Sequence, residues 1–198
     1  MKQNLLHEES LNIIQEMIVQ ARGNLSKGEG KHFLLWGYII AFSSLAHFCI
    51  ASFLPQFATH IGYIWLTTTV LGFITSFIWG YRDRQKELVR TFMSDINGKV
   101  WIGFAIGVFL IYFFPIFKNL WYIYPSISVL YIYALFLSAS IYKFKWMLLS
   151  VAIGFVCVIL YKFVPYIYYP LLMAIIMLVG NIIPGHIISH KAKRNNHV

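Results

Sequence analysis

The chain has 198 residues, 59% of them hydrophobic and 12% charged, with a mean hydropathy of +0.68. Soluble domains run nearer half apolar and a quarter charged, so this composition excludes a soluble globular protein and leaves no room for a separate soluble domain. The formal net charge of +9 invites a nucleic-acid reading. The bases instead flank apolar stretches, where they act as topology signals drawn to anionic lipid, so the expected partner is lipid and not nucleic acid.

Residues 1–32 are polar and amphipathic and are predicted to be a cytoplasmic segment. They lack the basic start and short apolar core of a cleavable signal peptide, so the first span is expected to serve as the insertion signal. Leu11, Ile14, Ile18, Ala21 and Leu25 recur at alternating spacings of three and four, which aligns them on one helix face. Glu8 and Glu9 near its start and Arg22 and Lys27 near its end suit the helix macrodipole. Such a helix either lies in the inner headgroup layer or packs on its own protein, or it docks a protein partner or a second copy through Leu11, Ile14 and Ile18.

A helix needs about 20 apolar residues to cross a hydrocarbon core of about 30 Å. Six stretches qualify, at 33–53, 61–80, 100–117, 121–142, 147–164 and 166–188. The predicted fold class is therefore all-α, a polytopic membrane helical bundle of six transmembrane helices filling 33–188, with a basic cytoplasmic tail at 189–198. Only Pro165 and the run Tyr166, Tyr168 and Tyr169 divide the fifth stretch from the sixth, so one bent element is the alternative. Charge favours two, because Lys145 and Lys191 then end on the same side.

Between spans two and three, the connection 81–99 is a second amphipathic cytoplasmic stretch, with Leu88, Phe92 and Ile96 recurring every fourth residue. It either packs with the N-terminal helix beneath the membrane or offers Leu88 and Phe92 to a partner. All seven acidic residues fall in these two segments. Of the 16 Lys and Arg residues, only Lys118 and Lys162 fall on the opposite side. By the positive-inside bias both termini are cytoplasmic. Trp and Tyr residues near the span ends form the expected interfacial belts, and Lys162 beside the outer belt is most simply a snorkelling side chain.

From Ile96 to Val198 there is no Asp or Glu over 103 residues. That absence weighs against a carrier driven through intramembrane carboxylates and removes paired-carboxylate hydrolysis. Sequence signatures of zinc hydrolases, serine nucleophiles and phosphate loops are also missing, and no enzymatic activity is expected. What remains is a candidate intramembrane polar site of Ser43, Ser44, His47 and Asn181. An imidazole at that depth can bind a cation, a haem or a quinone. The simpler account is a neutral histidine bonded to a hydroxyl between helices; no second histidine lies at matching depth, and no cofactor is predicted.

Pro184 and Gly185 are expected to kink or break the last span, after which His186 and His190 stand at i, i+4 without a carboxylate or cysteine, so no metal is expected. Cys49 and Cys157 fall inside spans as small apolar residues. Ala105–Ile106–Gly107 recurs at Ala152–Ile153–Gly154, Tyr124–Pro125 at Tyr169–Pro170, and Lys143 and Lys145 at Lys191 and Lys193. The near-constant offsets of 47, 45 and 48 suggest parallel hairpins, the basis for an alternative role as a small solute or ion transporter or channel. Gly103 and Gly107 mark a close helix contact.

MIVQARGNLSKGEGKHFLLWGY at 17–38, VRTFMSDINGKVW at 89–101 and NIIPGHIISHKAK at 181–193 together resemble a group of small uncharacterised bacterial multispanning inner-membrane proteins. The resemblance covers nearly the whole chain and implies a multi-pass protein of the bacterial inner membrane, with no activity or site residues to carry over. The expected role is a non-enzymatic protein interacting or self-associating at its cytoplasmic face. A transporter or channel is the alternative, and a haem or quinone site around His47 the second.

Overall fold

The computed structural model describes residues 30–84, 92–113 and 122–194. Leu11, Ile14, Ile18 and Leu88, and with them the N-terminal amphipathic helix, lie outside these residues, while Phe92 opens a helix.

Helix α1 runs Gly30–Phe53, and a 3-10 turn Pro55–His60 leads into α2 (Ile61–Arg84). Then follow α3 (Phe92–Phe113), α4 (Ile123–Tyr142) and α5 (Lys145–Leu160). A 3-10 turn at Tyr166–Tyr168 starts the last element, in which α6 (Tyr169–Met177), a π-helical segment (Leu178–Ile182) and α7 (Ile183–Arg194) join end to end. No strand occurs among the described residues. The protein is an all-α membrane bundle, with five helices long and apolar enough to cross a bilayer. α5, at 16 residues, is the short one. Backbone hydrogen bonds continue its winding as far as Val164 N–H to Leu160 O at 3.2 Å.

α5 and the last element are separate and antiparallel, so the single bent element is ruled out. Pro165 cannot donate to a preceding turn, and the chain reverses there. Two other boundaries differ from expectation. Residues 92–99 of the supposed cytoplasmic connection are continuous with α3, because nothing between Ile96 and Trp101 breaks a helix; Gly98 costs propensity but no hydrogen bond. An i, i+4 ion pair of Lys99 Nζ with Asp95 Oδ2 at 2.7 Å adds support there. The last span is bulged at its π segment and is not broken at Pro184.

α1 and α2 meet through Trp36 with Ser76, Ser43 with Thr68 and His47 with Trp65, numbers rising on one helix as they fall on the other. Asn97 with Ser138 and Gly107 with Leu130 do the same for α3 and α4, and Ser150 with Val179 and Tyr161 with Tyr169 for α5 and the last element. Neighbours in sequence therefore run antiparallel. That alternation gathers Lys31, Arg82, Lys99, Lys143 and Lys145 at one end, the basic end, and Lys162 at the other.

α4, the last element and one face of α5 form the interior, around Ile132, Leu135, Met147 and Met177. α2 and α3 lie outside, presenting Leu66, Phe73, Phe77, Ile102 and Phe109 where lipid would be. α1 lies between, with one face on α2 and another on the last element. On the second face, a Cβ on Gly37 would stand 2.8 Å from Asn181 Cβ, and one on Gly185 2.9 Å from Leu34 Cγ. The two backbones approach there as small residues permit.

Gly107 is also a close approach, since a Cβ there would lie 2.5 Å from Leu130 Cδ2, but a Cβ on Gly103 would meet nothing within 4 Å among the described residues, and Gly103 does not share that contact. In the suggested hairpin repeat, Gly107 meets its own hairpin's α4 whereas Gly154 meets Ile132 of the preceding hairpin. The matching glycines do different jobs.

Candidate functional site: a polar spine and a π segment

Four polar residues of α4, Tyr124, Ser128, Tyr131 and Ser138, are buried. Their spacings of four, three and seven put them on one face, over about 21 Å of helix at 1.5 Å per residue. Each is bonded to a different part of the bundle. Ser138 Oγ donates to Asn97 Oδ1 of α3 at 2.7 Å, and Tyr131 Oη donates to Asn181 Oδ1 of the π segment at 2.6 Å. Ser128 Oγ contacts Tyr161 Oη at 3.0 Å and Met173 Sδ at 3.4 Å. Tyr124 Oη reaches His47 Nδ1 on α1 at 2.6 Å. Such bonds in a membrane interior are worth about 0.6 kcal/mol each on average, and here they tie α4 to nearly every other element.

The π segment follows from Pro184. A proline ring clashes with the carbonyl four residues back and brings no N–H, and widening the preceding turn relieves the clash. Ile183 N–H accordingly bonds to Leu178 O, five residues back. In that register the donor Pro184 lacks would have served Val179 O. Ser150 Oγ of α5 donates to Val179 O at 2.8 Å and supplies it. Tyr131 Oη covers Gly180, where a Cβ would come within 2.6 Å of it. The amide nitrogen of Asn181, a residue only 2% exposed, has one weak acceptor among the described residues, Met177 Sδ at 3.9 Å.

Among the described residues, both hydrogen bonds of His47 fall on one nitrogen. Trp65 Nε1–H donates to Nδ1 at 3.3 Å, and Tyr124 Oη lies 2.6 Å from the same atom. An indole N–H can only donate, so Nδ1 must present its lone pair; the Tyr124 hydroxyl then donates too, and the neutral ring carries its proton on Nε2. Ser43 Oγ bonds Ile39 O at 2.8 Å and Thr68 Oγ1 at 2.9 Å. Ser44 is fully buried, and its hydroxyl has no hydrogen-bond partner among the described residues.

The four predicted polar residues thus form no single site. Ser43 and His47 face α2, Ser44 is buried one position away, and Asn181 sits deep in the π segment beside Gly37. At the basic end His186 Nε2 lies 2.8 Å from Tyr38 Oη and His190 is exposed; no cluster of three metal-ligating residues occurs among the described residues. Cys49 and Cys157 are unpaired. Sequence reasoning passed over the α4 spine, Asn97 and Ser150. The available signal was the heptad-like recurrence of Tyr and Ser within an otherwise apolar span. No family model, curated protein or solved structure matches the chain.

Proposed function

We propose that the protein is a non-enzymatic multi-pass protein of the bacterial inner membrane, both termini cytoplasmic, that binds a protein partner or a second copy through its cytoplasmic face. The supporting observation is how the interior polar groups are spent. The α4 side chains, Asn97, Ser150 and the Asn181 carbonyl bond other elements of the same bundle, as a scaffold requires. Charge collects instead at the basic end, where Lys31, Arg82, Lys99, Lys143 and Lys145 lie and to which the amphipathic segment 1–32 connects. Assignment to the bacterial inner membrane rests on the sequence resemblance, and the orientation on the positive-inside bias.

Deleting residues 2–26 should leave membrane insertion intact and abolish co-purification of a tagged second copy or partner. Complexes unchanged by the deletion would sink this reading. A transport role is the second reading, and the π segment favours it, because π turns inside α-helices are frequent at functional sites. Proteoliposomes that move no solute with or without a pH gradient would count against it.

A further inference from the structure

We propose that His47 anchors a binding site for an apolar molecule that carries a carbonyl oxygen, between α1, α2 and α4. With Nδ1 occupied by Trp65 and Tyr124, the ring's proton is fixed on Nε2, and that N–H has no hydrogen-bond acceptor among the described residues. The ring is half-buried, six residues from the Phe53 end of α1, hence about 9 Å inside it. Nε2 is not sealed inside the bundle, so a molecule dissolved in the bilayer can reach it. Water is scarce at that depth, and an apolar molecule presenting an acceptor gives the N–H the partner that the protein does not.

The surroundings are aromatic. His47 and Tyr124 rings stand 5.7 Å apart, Trp65 and Tyr124 6.0 Å, and Phe48 packs on Tyr168 at 6.0 Å. Flat rings of this kind accept another flat or conjugated group.

The tautomer also discriminates between ligand chemistries. A metal or haem iron at Nε2 needs a lone pair there, which would send the proton to Nδ1, where two donors already point. A carbonyl oxygen needs only the N–H that is present. Two apolar carbonyl carriers reach this depth, a quinone and the ester group of a phospholipid.

The site is tested with purified full-length protein in nanodiscs of ether-linked phospholipid, which has no ester carbonyls. Decylubiquinone is titrated in and tryptophan fluorescence quenching is read. His47→Asn keeps an acceptor near the Nδ1 position for Tyr124 and Trp65 but loses the Nε2 donor, whereas His47→Gln keeps a donor there. Wild type and His47→Gln should quench saturably, and His47→Asn with a Kd about tenfold higher, as loss of one hydrogen bond predicts. In a second arm, native mass spectrometry compares retention of ester-linked phospholipid with its ether analogue. No saturable quinone binding, but ester lipid retained over ether lipid by wild type and not by His47→Asn, identifies the ligand as lipid and leaves the carbonyl site standing. Wild-type protein with neither saturable quenching nor ester preference overturns the proposal, however the variants fold. Quinone or ester binding that ignores His47→Asn overturns it equally.

Discussion

Pro184 withholds a backbone donor, and the Ser150 hydroxyl, 34 residues earlier in the chain, replaces it by bonding to Val179 O. Removing the hydroxyl leaves a carbonyl unmet inside the bundle. Ser150→Ala should therefore destabilise the protein by about 1–3 kcal/mol, read by equilibrium unfolding in detergent. Pro184→Ala restores the backbone N–H, so in that background the same serine change should cost much less; an equal cost in both would detach Ser150 from the proline. This pairing illustrates what could and could not be read from the sequence. Pro184 and Asn181 stood out because proline and a lone amide are rare in an apolar run. Ser150 did not, because a serine in a span looks like any other until the helix opposite is known. His47 was visible for the same reason as Asn181, while of its donors Tyr124 read as an interfacial aromatic and Trp65, inside an apolar span, carried no signal.

Among the elements, α1 serves its neighbours with different faces, one toward α2 and one toward the last element. A Cβ at Gly37 would meet Asn181 and Ile182 side chains at 2.8 Å and Ile182 N at 3.3 Å, and backbone cannot swing aside as a side-chain tip can. Gly37→Ala should cost about 1–3 kcal/mol, whereas Gly103→Ala, on an open face of α3, should be neutral or stabilising by up to about 1 kcal/mol. Thermal unfolding of both variants in one detergent checks the contrast. A similar loss at Gly103 would imply a neighbour that the described residues do not supply. Span positions for α1, α2 and α4 were legible to within a few residues, because hydrophobic length alone sets them. The start of α3 was not. Amphipathic and apolar periodicities run into each other at 96–101 without a breaker, and a helix crosses such a junction unnoticed.

On the scale of the whole molecule, antiparallel neighbours turn a one-dimensional charge pattern into two chemically distinct ends. Single cysteines test this after both native ones are replaced with alanine. A membrane-impermeant maleimide applied outside cells with an accessible outer leaflet should label Lys162→Cys and spare Lys99→Cys until the cells are opened. The reverse pattern would invert the proposed orientation while leaving the bundle unchanged. Interior positions of α4 and the last element could not be told from the exposed positions of α2 and α3 by hydropathy, because lipid and protein interior are equally apolar. Only small and polar residues separate them, which is why the spine and the glycine contacts carry the information about burial.

The π segment has a consequence for how the end of the chain can vary. A widened turn holds one residue more than an α turn, so it acts as a one-residue insertion absorbed in place, equivalent to about 100° of helix rotation. α7 is thereby kept in a phase that lays Gly185 on Leu34 and His186 on Tyr38, one position away from where an uninterrupted α-helix of the same sequence would put them. Loss of a single residue within the segment would close the bulge and preserve that phase, whereas the same loss in α6 or α7 would turn a different side of the helix toward its neighbours.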